Sequence, residues 1–175
     1  MTLKQHVIDT IKEWQLKLGA SDHSMGLYYP KQSLCQYLKL GDHITDDALV
    51  RQVIRYFKEN APELGTVYVQ PHQDRFCIEI ADEGMHYVET QVAVPDFLRD
   101  FLAALKTQQM DAILAVFQEY ALHTGERVIQ EKEEDGLGTV FFFESGQADP
   151  YVYCVNQDVF GITYHRFAKE DFEQL

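Results

Sequence analysis

Apolar positions near the start of the chain recur at helical intervals. Leu3, Val7, Ile11, Trp14 and Leu18 step by four, four, three and four, which predicts an amphipathic helix that Gly19 stops. A loop is expected through Ser21 to Gly26. Pro30 then opens a short helix through Leu34 and Leu38 to about Leu40, ended by Gly41. Thr45 is the natural N-cap of the next helix, with Asp46 and Asp47 in the first turn, where the helix dipole favours them. That helix should bury Leu49, Val53, Ile54, Tyr56 and Phe57, and Pro62 and Gly65 close it. Two β-type runs follow, 66–70 and 75–80, joined by the polar turn Pro71-His72-Gln73-Asp74, which reads as a hairpin. A short helix begins near Asp82 and includes Met85 and Val88.

In the second half, Pro95 opens a helix carrying Phe97, Leu98, Phe101, Leu102 and Leu105. Another carries Met110, Ile113, Leu114, Phe117 and Ala121, and Gly125 stops it. Two such apolar faces predict a helical hairpin or a pair of helices lying together on a sheet. The last third alternates short strand-like runs (127–132, 139–144, 151–155 and 162–167) with the turn signals Asp135-Gly136, Ser145-Gly146 and Gly161. Short strands with short loops predict an antiparallel meander. Val140-Phe141-Phe142-Phe143 does not alternate with polar residues, so that strand should be covered on both faces. Residues 169–175 read as a closing helical turn.

Charge sharpens this picture. The net charge of the 175-residue chain is −13. Residues 1–81 hold nine Lys or Arg against ten Asp or Glu, while residues 82–175 hold six against eighteen. So acidic a second half repels nucleic acid and anionic membrane and favours a basic partner. The longest uninterrupted apolar run is six residues, Ala112 to Phe117, against the roughly twenty that a bilayer span needs. Lys4, Asp9, Lys12, Glu13 and Lys17 put too much charge into the first helix for an export segment. Cys35, Cys77 and Cys154 are far apart with no Cys-x-x-Cys, which fits a reducing cytosol better than a disulfide framework or a zinc knuckle.

Candidate chemistry is sparse. Arg51, Arg55 and Lys58 share one helix face and are the residues a DNA-reading helix would use. Asp47 and Glu59 lie four residues away from Arg51 and Arg55, the spacing of ordinary ion pairs on a solvated helix. The seven histidines form no His-Glu-x-x-His, His-x-x-x-His or His/Cys ligand cluster. His165, beside Arg166 in a strand, is the one singled out for interaction, against its plainer reading as a half-exposed strand histidine. The acids Glu131, Glu133, Glu134 and Asp135 lack the alternation of a calcium loop. No Gly-x-Ser-x-Gly and no phosphate-binding glycine loop is present, so no catalytic residue, metal ligand or cofactor is assigned.

Two stretches carry a family resemblance: Ile11-Lys12-Glu13-Trp14-Gln15-Leu16-Lys17-Leu18-Gly19 followed by Leu27-Tyr28-Tyr29-Pro30, and Thr163-Tyr164-His165-Arg166-Phe167 followed by Glu170-Asp171-Phe172. Together they resemble a bacterial domain-of-unknown-function family found in anaerobic Gram-positive bacteria. The resemblance covers nearly the whole chain. It implies a bacterial cytoplasmic protein and transfers no site residue, because no activity is assigned to the family. The order of three helices, a hairpin and a further helix also resembles a winged-helix domain, with Arg75 to Ile80 and Ala81-Asp82-Glu83-Gly84 as the wing strand and its junction to the next helix.

The expectation is therefore an α+β chain: a helical, winged-helix-like part over 1–90, then a helical pair and a C-terminal antiparallel meander over 91–175, sharing one core. Three functions compete. The first is a non-enzymatic cytosolic module that binds or regulates a protein, with a basic protein as one concrete partner. The second is a winged-helix DNA-binding regulator, which a basic face from Arg51 and Arg55 to Lys39 and Arg75 would favour. The third is a small-molecule enzyme without a recognisable motif, which a pocket lined by His165, Arg166 and carboxylates would favour.

Overall fold

The computed structural model describes residues 1–19, 23–41, 43–132 and 138–172. The fold is α+β. Two compact units divide the chain, Met1–Ala93 and Val94–Leu175.

The first unit opens with α1 (Leu3–Leu18), which Thr2 caps by accepting from the Gln5 N–H at 3.2 Å, and Gly19 ends it at φ 87°. Leu3, Val7 and Ile11 are buried as their spacing predicts, but Leu18 is 70% exposed. The buried stripe turns instead through Ile8, Lys12 and Gln15. Lys12 Nζ donates to the Val88 and Glu89 carbonyls at 2.9 and 3.1 Å, and Gln15 Nε2 donates to the Met85 carbonyl at 3.0 Å. Burial pulls the Lys12 pKa down, while Glu89 acts to raise it. These polar ends reach carbonyls of a later helix, and those of Val88 and Glu89 lie in its last turn, where helical partners run out.

Where a loop was expected as far as Gly26 and a helix from Pro30, residues 25–30 form a strand, β1 (Met25–Pro30), with Leu27 and Tyr29 turned inward. The next helix, α2 (Lys31–Leu38), stops two residues earlier than predicted, because Lys39 takes the left-handed conformation at φ 54° and ends it. Thr45 caps α3 (Asp46–Asn60) as expected. Leu49, Val53 and Phe57 enter the core, whereas Ile54, expected inside, stays 40% exposed. A single 3-10 turn, Pro62–Leu64, leads to β2 (Val67–His72) and β3 (Arg75–Ile80). The connecting turn is tighter than predicted: Pro71 and His72 belong to β2, leaving Gln73-Asp74 alone between the strands. The sheet is antiparallel with order β1-β3-β2, and α4 (Asp82–Gln91) closes the unit.

In the second unit α5 (Asp96–Lys106) and α6 (Met110–Thr124) form the expected helical pair, and Gly125 ends α6 in the left-handed region. The meander follows in chain order: β4 (Val128–Lys132), β5 (Thr139–Phe143), β6 (Tyr151–Asp158) and β7 (Gly161–Ala168), each antiparallel to its neighbour. A short helix, α7 (Lys169–Phe172), follows β7. One sheet face packs Phe141, Phe143 and Tyr153 against Phe97, Phe101 and Phe117 of the helical pair, with Phe97–Phe143 centroids 5.0 Å apart and Phe117–Phe141 centroids 5.1 Å apart. The other carries Val140, Val152 and Cys154, with Phe142, Phe167 and Phe172 against them. Both faces of β5 are thus occupied. Phe142 is only half-buried, unlike Phe141 and Phe143.

Candidate functional site

The candidate residues fall into two groups. Arg51, Arg55 and Lys58 lie exposed on α3. Arg55 Nε pairs with Glu59 Oε1 at 2.7 Å, one of the two ion pairs its spacing predicts. The other, Asp47 with Arg51, does not form among the described residues; Asp46 instead pairs with Lys31 at 2.8 Å. Lys58 borders a depression of about 350 Å³ that Ile54, Phe57, Val67 and Glu83 also line. Lys39 and Arg75 are exposed as well.

His165 and Arg166 are strand neighbours, so they face opposite sides of the meander. His165 is exposed, with its ring 6.2 Å from that of Phe167. The Arg166 side chain is 4% exposed. Its guanidinium lies 3.5 Å from the centre of the Tyr151 ring, 5.8 Å from that of Tyr153, and 3.8 Å from the carboxylate of Asp149, itself 4% exposed. A buried arginine stacked on aromatics and paired to a buried carboxylate organises a core. The registers fit this role, since Tyr153 sits opposite Arg166 and Tyr151 opposite Ala168 on one face. Neither the α3 depression nor the groove described next is lined by His165 or Arg166.

Three further features had no signal in residue spacing. The first is the turn joining β6 to β7, where Val159 and Phe160 are 92% and 94% exposed. The turn is held firmly: Asp158 Oδ1 accepts from the N–H groups of Phe160 and Gly161 at 2.7 and 3.2 Å, and Gln108 Oε1 accepts from the Ile162 N–H at 2.5 Å. Two large apolar residues between an aspartate and a glycine were the available clue. The second is a groove of about 550 Å³ between α6 and β4, lined by Leu114, Ala121, Leu122, Val128 and Gln130, with Leu122 82% exposed. The third is Glu126. Its carboxylate accepts from the Ser145 hydroxyl and from the N–H groups of Ser145, Gln147 and Ala148, the last three at 3.1, 3.1 and 2.6 Å. Burial works against its charge, but these donors outweigh burial and hold the carboxyl below the usual glutamate range.

Among the described residues no three His, Cys, Asp or Glu side chains gather as a metal site would require. The acids Glu133, Glu134 and Asp135, with the Asp135-Gly136 turn, lie outside the described residues. No described helix is long and apolar enough to cross a membrane. The chain matches no curated protein and no solved structure. One family matches residues 1–175, the domain of unknown function described as E. rectale Gene description (DUF3877), and the chain belongs to that family.

Proposed function

We propose that this chain is a non-enzymatic, cytoplasmic protein-binding module that contacts its partner through the β6–β7 turn. The observation that carries this reading is the near-complete exposure of Val159 and Phe160 on a turn fixed by Asp158 and Gln108. Turn tips ordinarily hold Gly, Asn, Asp or Ser. An aromatic carried on a backbone that is already fixed costs little further chain ordering when a partner buries it, as an interface anchor requires. The net charge of −13 favours a partner with a basic surface. Three buried free thiols suit a reducing compartment.

A second reading, a winged-helix DNA-binding regulator, draws support from the element order α1-β1-α2-α3-β2-β3 and the sheet order β1-β3-β2. It ranks below the first because Glu59 already pairs with Arg55 in the only basic stripe of α3.

The test uses the full chain with a benzophenone side chain in place of Phe160, irradiated in native lysate. A control carries the same group at exposed Leu18. The expected result is one polypeptide adduct from position 160 that unlabelled wild type competes away, that unlabelled Phe160→Ser does not, and that weakens as salt rises. Equal competition by Phe160→Ser, or no protein adduct at all, would sink the reading.

A further inference from the structure

The meander ends in β4, which among the described residues hydrogen-bonds only to β5 and leaves its other edge open. An open edge offers a row of backbone donors and acceptors to any strand that approaches, and proteins cover or block such edges. Here the exposed Leu122 and the groove beside Val128 adjoin that edge.

We infer that a second copy of this chain covers the edge: β4 pairs antiparallel with its own symmetry mate about a two-fold axis at Ile129, joining two four-stranded sheets into one. The residue pattern around Ile129 is self-complementary. Directly opposed residues in such a pairing have numbers that sum to a constant, here twice 129, and share a sheet face. Ile129 therefore meets Ile129 of the second copy, and Arg127 meets Glu131 twice, once on each side of the axis. Ile129 and Glu131 alternate along β4, and Arg127, one residue before it, continues the ladder through its carbonyl, which accepts from the Glu144 N–H at 3.0 Å, so the apolar contact and both ion pairs lie on one face. The other face brings Val128 opposite Gln130 on the side of the groove.

Neighbouring registers lose this match. Centring on Gln130 places Glu131 against Ile129 and Lys132 against Val128. Centring on Val128 places Arg127 against Ile129 and Gln130 against Glu126, so the Arg127–Glu131 pairs are lost. Arg127 and Glu131 are exposed, and neither has a charged partner among the described residues. A two-fold contact of this kind is isologous and closes, which yields a dimer and no filament. The surface is separate from the β6–β7 turn, and the inference stands whether or not that turn binds a protein.

Sedimentation velocity on the full chain at concentrations on the order of 1–100 μM reads the dimer directly. Arg127→Glu and Glu131→Arg, each of which sets like charges opposite one another twice, should weaken the dimer roughly tenfold. The double variant restores both pairs in reverse and should return to within about threefold of wild type. Ile129→Cys should form a disulfide with its own mate under mild oxidant, because the Cα atoms of a directly opposed pair lie about 4.5–5.5 Å apart, within the range a disulfide spans. Far-UV circular dichroism confirms that each exposed substitution leaves the fold intact. A chain monomeric over the whole range, a double variant no better than the singles, or failure of Ile129→Cys to crosslink would each overturn the inference.

Discussion

Glu126 accepts from Ser145 twice, through the backbone N–H at 3.1 Å and through the hydroxyl. With Gln147 and Ala148 added, one carboxylate gathers three residues of the connection between β5 and β6. Hydrogen bonds to a charged acceptor are worth more than neutral ones, but this loop is largely exposed and water competes. Glu126→Gln should therefore cost about 1–2 kcal/mol. The pH dependence has a definite sign. The folded-state pKa lies below the ordinary 4.5, so the clamp contributes fully above that value and is lost as pH falls through the lower folded value. Denaturant melts of wild type and variant should differ at neutral pH and converge in acid. A gap that persists once the carboxylate is protonated would place the effect elsewhere.

The two faces of β5 are unequal, and substitutions should read the difference. Phe143 is 1% exposed and meets Phe97 and Phe117. Phe143→Ala should cost about 3–5 kcal/mol. Phe142 is half-buried, with the Lys169 ammonium 5.2 Å from its ring centre. Phe142→Ala should cost about 1–2 kcal/mol, in proportion to the smaller apolar area it hides. Equal losses in urea melts would mean that the α7 side of the sheet is as closed as the helical side.

Gly84 sets helix propensity against packing. In an α-helix alanine is favoured over glycine by about 1 kcal/mol. At Gly84, however, an added Cβ would meet the Leu64 carbonyl oxygen at 2.5 Å and Ile80 Cγ2 at 2.6 Å. The first obstacle is backbone and cannot swing aside, so α4 must move off the 3-10 turn. Overpacking of this kind costs about 1–3 kcal/mol, and Gly84→Ala should lower the melting temperature despite its better propensity. A rise in melting temperature would show that α4 has room to shift.

These cases show which parts of the fold could be read from the chain. The meander was legible because its turn residues, Ser145-Gly146 and Gly161, interrupt dense β-formers. The caps Thr45 and Gly125 were legible because capping is local. By contrast β1 was not, since Gly26 and Pro30 bracket a run in which only Leu27 and Tyr29 turn inward. Pairing with β3, which sets Leu27 opposite Ile78, is what makes it a strand. The α1 stripe was half legible. Hydropathy points outward at Lys12, yet the carbonyls of Val88 and Glu89, some seventy-six residues away, give its ammonium an inside partner. Arg166 is of the same kind: its Tyr151 platform and Asp149 partner lie in a preceding loop and strand that spacing cannot bring together. The Val159–Phe160 tip went unread because apolar residues in sequence suggest burial, and only the turn geometry turns them outward.

The last prediction separates the protein-binding reading from the DNA-binding one. Duplex DNA is held by Lys and Arg contacts that release counterions from the phosphates. On α3 this chain offers Arg51, Arg55 and Lys58, and Glu59 holds Arg55 at 2.7 Å. Three cations neutralise about three phosphates, against roughly six to ten for a strong binder. The remaining charge works against approach, since the chain carries −13 overall. At physiological salt the screening length is about 8 Å, so distant carboxylates are muted while Glu59 is not. A dimer would double the stripe and the acid together. Binding of micromolar protein to random duplexes at about 150 mM salt should therefore be undetectable by fluorescence anisotropy. A saturable signal that falls steeply with salt and vanishes in an Arg51→Glu/Arg55→Glu double variant would put the winged-helix regulator first.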